Sequence, residues 1–156
     1  MYADYLDIAI EKIRQIQATQ DESIRAAAEL VAQAIMTDHL IYTFGSGHSA
    51  LLAREIRGRA GGLYPILQIN DPMEGRAEKI EGFGTVLVQY QPLKAGDVLI
   101  VISNSGRNPE PIEVAMCARQ KGVNVIVLTS MEHTRSVTSR HSSGKLLYEL
   151  GDVVLD

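Results

Sequence analysis

Two stretches of this chain are built alike: "LIYTFGSGHSALLA" at 40–53 and "VLIVISNSGRNPEPIEVA" at 98–115. In each, a short apolar run stops at a cluster of glycine, serine and other polar residues, and a helical pattern follows at once. A strand that feeds a helix through a tight polar loop, twice in one chain, calls for parallel strands joined by helical crossovers.

Further apolar runs extend the series. Strands are expected at 40–44, 64–69, 97–102, 123–128 and 152–156, where near-continuous Val, Ile and Leu read as strands covered on both faces. Helices are expected at 49–60, at 110–121 and from about 131, with Gly122 placed as a C-terminal cap. The segment 77–91 fits two periods. Val86, Val88 and Tyr90 alternate like a strand, whereas Ile80, Phe83, Leu87 and Tyr90 follow a helix; helix is preferred because a crossover must precede the next parallel strand. Ahead of the first strand, Leu6, Ile10, Ile13 and Ile16, then Ile24, Ala27, Val31 and Ala34, recur at helical spacing, and Thr19 and Glu22 stand three apart as in a capping box.

The fold expected is a three-layer, flavodoxin-like α/β domain over 1–156. It has a five-stranded parallel sheet in the order 2-1-3-4-5 and a helical hairpin in front. The amino-terminal stripe is longer than a layer touching one sheet needs, so part of it is expected to meet another subunit in a homodimer or larger homo-oligomer.

The net charge of −4 argues against nucleic acid as a partner, because phosphate backbones select basic faces. No apolar stretch approaches the ~20 residues of a membrane span, and the first ten residues carry acids where a secretory leader needs a base. A cytoplasmic protein without a membrane partner is expected. Cys117 is the only cysteine, which removes disulfide frameworks and cysteine-rich metal sites. No other ligand cluster suggests a metal, so neither metal nor cofactor is expected.

The two polar loops carry the chemistry. Gly45-Ser46-Gly47-His48-Ser49 and Ser103-Asn104-Ser105-Gly106 each lead into a helix, so each presents backbone N–H groups at a helix N-terminus, a ready anion site. Glycine lets the backbone approach a ligand, and serine hydroxyls donate to phosphate without adding a formal charge. In the order 2-1-3-4-5 the first and third strands are neighbours at the switch point, where ligands bind. The two loops are therefore expected to form one phosphate cradle. Several roles stay open. Asn108 fits an N-cap with Pro109 at N1, with or without ligand contact. His48 suits ligand contact or proton transfer as well as an exposed loop position, and Arg107 divides between ligand and solvent. Gly45-x-Gly47-x-x-Ala50, with Asp71 after the second strand, also fits a dinucleotide fingerprint. That reading leaves Ser46, Ser49, Ser103 and Ser105 without a purpose.

At these residues the chain resembles the sugar isomerase (SIS) domain family. "GSGHS" is similar to the family's glycine-x-glycine-x-serine loop, and "SNSGRN" to its serine-x-serine-glycine-x-threonine loop. The longer stretches "VISNSGRNPEPIEVA" and "TSRHSSGKLLYELGDVVLD" look closest to a bacterial branch of phosphosugar-isomerase relatives akin to phosphoheptose isomerase and N-acetylmuramic acid 6-phosphate etherase. The resemblance implies a sugar phosphate as ligand, held by Ser49, Ser103 and Ser105, and interconversion of aldose and ketose forms. A non-catalytic sugar-phosphate-binding module and a dinucleotide-binding domain are the alternatives. Asn108 stands where the family has threonine. In the two named relatives a glutamate lies about ten residues beyond the first-loop serine; here that place holds Arg59. Glu55, one turn earlier, is the candidate base or else the i,i+4 partner of Arg59, with Glu78 and Glu81 behind it. SIS relatives continue past the last strand into a further helix, so a chain shortened after its fifth strand is expected.

Overall fold

The computed structural model describes residues 2–156. Two helices, α1 (Tyr2–Thr19) and α2 (Asp21–Met36), precede an alternation of strand and helix: β1 (Ile41–Gly45), α3 (Ser49–Ile56), β2 (Ile66–Gln68), α4 (Phe83–Gln89), β3 (Val98–Ile102), α5 (Pro109–Gln120), β4 (Asn124–Leu128), α6 (Met131–Arg135) and β5 (Val153–Leu155). The five strands form one parallel sheet in the order β2-β1-β3-β4-β5. That is the expected order.

The unbroken apolar strands are explained by two separate cores. Tyr42, Phe44, Leu99, Val101, Val125 and Val127 point to one face, where Val88 of α4 and Ile112 and Ala115 of α5 cover them. Ile41, Val98 and Ile126, one residue out of phase, meet Ala27 and Ala34 of α2 on the other face. Successive strand side chains alternate faces, so a sheet with helices on both sides needs apolar residues at every position. At the amino edge Asp97 is fully buried. Its carboxylate accepts from the N–H groups of Leu40 (3.0 Å) and Lys94 (2.9 Å) and meets His39 Nδ1 at 3.2 Å, pinning the starts of β1 and β3 together.

Local departures from the expected elements have local causes. Thr19 is not a cap: it closes α1, its Oγ1 donating to the Gln15 carbonyl (2.8 Å), and Gln20 alone separates α1 from α2. The helix expected over 77–91 is confined to Phe83–Gln89, because Gly82 sits at φ 91 and starts it late. The helix after the first loop stops at Ile56 rather than 60, and the outer strands β2 and β5 are three residues each. α1 leaves its stripe open: Leu6, Ile10, Ile13 and Ile16 are 43 to 65% exposed.

Candidate functional site

β1 pairs with β3 from Ile41↔Val98 to Gly45↔Ile102, so the two strands end level and both polar loops emerge together at the carboxyl edge. The first loop is fixed by close backbone packing. A Cβ on Gly45 would stand 2.5 Å from the Ser49 carbonyl oxygen, so only glycine lets α3 begin this close to the strand. From the other side the segment 71–82 lies against it. Gly75 (φ +84) would carry a Cβ 2.7 Å from the Cα of Gly47. Asp71 shapes that segment, accepting from the N–H groups of Met73 (2.8 Å) and Gly75 (2.5 Å).

The second loop is held from below by two buried threonines. Thr134 Oγ1 donates to the Ser105 carbonyl (2.9 Å), and Thr129 Oγ1 donates to the Asn104 carbonyl (3.2 Å). Ser103 Oγ accepts from the Gly106 N–H at 3.2 Å, tightening the turn. Asn108 occupies the N-cap position of α5 in extended conformation, yet its side chain caps nothing; its Oδ1 accepts from Arg140 Nη1 (2.8 Å). Arg107 turns the same way, its Nε donating to the Thr138 carbonyl at 3.0 Å. Ser130 does cap α6, accepting from the His133 N–H.

Between the loops lies a cavity of about 330 Å3. Ser46, Ser49, Ser103, Asn104, Ser105 and Asn108 line it, joined by His48, Glu78, Pro111 and His133. It adjoins two larger ones. About 550 Å3 opens toward Asp71, Arg54 and Arg76, and about 700 Å3 runs under α1 past Lys12, Gln15 and Ile16. His48 lines all three cavities, and Glu78 lines two of them. Among the described residues neither lysine nor arginine lines the central cavity, so an anion there meets hydroxyls, amides and backbone N–H groups, with His48, His133 and Glu78 beside them.

Of the residues singled out from sequence, eight line this cavity, Glu78 among them; Gly47 lines the adjoining 550 Å3 cavity, and Gly45 and Gly106 are buried. Glu55 stands apart. Its Oε1 lies 2.8 Å from Arg59 Nη1, the side chain is 64% exposed, and it borders none of the three cavities. Glu81 is also engaged elsewhere: hydrogen bonding from the Ser142 side chain first, and from the Ser142 N–H at 2.6 Å, holds its carboxyl below the usual range. Among the candidate carboxylates, Glu78 is the one in the cavity.

Sequence reasoning missed Glu110 and Glu113, both buried within α5. Glu113 accepts from the N–H groups of Gly82 (2.5 Å) and Thr85 (3.2 Å), so it caps α4, and His141 Nε2 lies 3.5 Å from it. Glu110 Oε2 accepts from Ser46 Oγ at 2.5 Å, while its Oε1 is buried without a partner. Burial pushes the Glu110 carboxyl up to about 7; the Ser46 hydrogen bond opposes this, and Asp71, Glu78 and Glu113 add to it. Ser46 therefore lines the cavity while its hydroxyl is also engaged by the buried carboxyl of Glu110. The signal was two acids among Pro109, Pro111, Ile112, Val114 and Ala115, a helix start with no exposed apolar residue to oppose them.

The geometry has counterparts. Residues 4–130 match the family model of the SIS domain. A UPF0309 protein of Listeria monocytogenes is 49% identical over 97% of this chain and 65% of its own length. A UPF0309 protein of Halalkalibacterium halodurans is 42% identical over 99% of the chain and 68% of its own. The chain thus spans about two thirds of the length of these curated relatives. Among solved structures, phosphoheptose isomerase from Neisseria gonorrhoeae superposes with a TM-score of 0.73 at 25% identity, covering 99% of this chain and 83% of that one. The sugar isomerase domain of an RpiR transcription factor from Sphaerobacter thermophilus shares the fold at a TM-score of 0.60 and 21% identity, over 99% and 74% of the two chains. With level serine loops on the switch-point strands and a family match over most of its length, the chain belongs to the SIS-domain family and is homologous to the UPF0309 proteins.

Proposed function

We propose that this chain binds a sugar phosphate at the paired loops and works as an aldose–ketose isomerase domain. The observation that carries this reading is the single cavity lined jointly by Ser49, Ser103, Asn104 and Ser105, with Glu78 and two histidines at its sides. The phosphate sits on the serine hydroxyls and the N–H groups of the two loops, and the sugar extends along the wall bearing Glu78 and His48. Glu78 removes the proton beside the carbonyl, and His48 donates to the carbonyl oxygen, the two roles an enediol route requires. Glu78 replaces Glu55 in this scheme because Glu55 is paired with Arg59 outside the cavities. Similarity to a phosphoheptose isomerase supports the reaction class.

Exchange of the C2 proton of a bound sugar phosphate with deuterated solvent tests the scheme. Glu78→Gln should abolish exchange and keep binding, while Glu55→Gln should leave exchange at the parent rate. Loss of exchange in Glu55→Gln with retention in Glu78→Gln would overturn the assignment.

Arg59, at the place where named relatives carry a glutamate, favours a second reading. In it the same cradle binds a sugar phosphate without turnover and reports its level. Saturable binding by the parent chain with no exchange at all would decide for it. The dinucleotide reading is weaker, since Asp71 spends its carboxylate on its own loop. In either favoured reading the working form is a homodimer or larger assembly through α1, in the cytoplasm where sugar phosphates are made.

A further inference from the structure

Glu110 takes no part in the scheme above, yet it is fully buried directly behind the first loop. Its Oε2 holds Ser46 Oγ at 2.5 Å, and Ser46 lines the cavity between the two loops. Its Oε1 is buried without a partner, a costly state for a carboxylate and a tolerable one for a carboxylic acid. The charged groups acting on it are all acids: Asp71 and Glu78 from the segment after β2, and Glu113 from its own helix. His48, from the same loop, and His133, from α6, line the same cavity as Ser46.

We infer that Glu110 is a proton-carrying positioning residue of the anion cradle, setting through Ser46 whether the first loop offers a donor or an acceptor to the ligand. This rests on the sugar-phosphate reading. With Glu110 ionised, the Ser46 hydrogen points back to Oε2 and only oxygen lone pairs face the cavity. With Glu110 protonated, its O–H donates to Ser46 Oγ, and the Ser46 hydrogen is free to donate to a bound anion. The proton comes from solvent and no covalent bond is made or broken. A dianion in the cavity adds a like charge facing Glu110 and favours the acid further, so ligand binding and proton uptake are linked. Burial raises the carboxyl from its ordinary range to about 7, where such a switch operates.

Sulfate is the probe of choice, because it stays a dianion where phosphate itself titrates. Titrations at constant ionic strength between pH 6 and 8, followed by amide chemical shifts of residues 46–50 and 103–106, read the affinity. The parent chain should bind about tenfold more weakly at pH 8 than at pH 6, the loss expected when one group near 7 must be protonated. Glu110→Gln, whose amide donates to Ser46 at every pH, should bind with a nearly constant affinity. Ser46→Ala, its fold checked by its amide spectrum, should weaken binding at pH 6 and leave it unchanged at pH 8. A tenfold slope that survives in Glu110→Gln would assign the effect to His48 and His133 and overturn the inference, as would a parent affinity independent of pH. Absence of saturable sulfate binding at every pH would overturn the sugar-phosphate reading together with it.

Discussion

Ser105 lines the cavity while its carbonyl is held from below by Thr134, so the hydroxyl is free of structural duty. Ser105→Ala should therefore weaken sugar-phosphate binding by ~1–3 kcal/mol, the value of one hydrogen bond to a charged group, and leave thermal stability near the parent's. Calorimetry beside a melting curve checks both halves. Glu110 acts on stability instead. Its folded value of about 7 lies above the ordinary 4.5, so the folded state holds the proton more tightly than the unfolded chain. That contribution is fully present below pH 4.5, falls across the interval and is gone above about pH 7; its span is on the order of 3 kcal/mol. The parent should lose stability to denaturant as pH rises from 5 to 8. Glu110→Gln should remove that part of the slope, and an unchanged slope would place the titrating group elsewhere.

At the scale of elements, the segment 71–82 decides the shape of the first loop, because its Gly75 packs on Gly47 backbone to backbone. Gly75→Ala meets both a left-handed backbone (φ +84) and a Cβ 2.7 Å from Gly47 Cα. The conformation alone costs ~1–2 kcal/mol. Amide hydrogen exchange should accelerate in 71–82 and in 46–50 together; acceleration in 71–82 alone would show that the two are not coupled. This segment also marks where sequence reasoning runs out. The strands β1, β3 and β4 and their order were legible, because a short β-branched, aromatic or aliphatic run ending at a polar loop, Val/Ile/Leu in β3 and β4 and Ile-Tyr-Thr-Phe in β1, reads the same way in any context. The late start of α4 was not, since it depends on Glu113, 31 residues away from Gly82, accepting that residue's N–H. Edge strands β2 and β5 were read too long for a related reason: each pairs on one side only. In the site, the serines were legible from loop position, whereas the roles of Glu78 and Glu110 depend on which wall each faces.

For the whole molecule, α1 is the part that the rest leaves unexplained. Tyr5, Ile8 and Ile13 are each more than 60% exposed, and Leu6, Ile10 and Ile16 more than 40%. A contiguous apolar face of that kind usually marks an interface. The chain should sediment as a dimer or larger at micromolar concentration, and Ile13→Glu should shift it toward monomer without unfolding the sheet. A parent that sediments as a clean monomer would contradict that assembly. Because α1 also walls the larger cavity through Lys12, Gln15 and Ile16, assembly and ligand capture share one helix.

The central claim is that two loops, 57 residues apart at Ser46 and Ser103, act as one sugar-phosphate site. Amide chemical-shift mapping during titration with hexose, heptose and amino-sugar phosphates tests it most directly. Saturable shifts in both 46–50 and 103–106, following one binding curve for at least one sugar phosphate, are the predicted result. No saturable shift with any of them, or shifts confined to a single loop, would contradict the account.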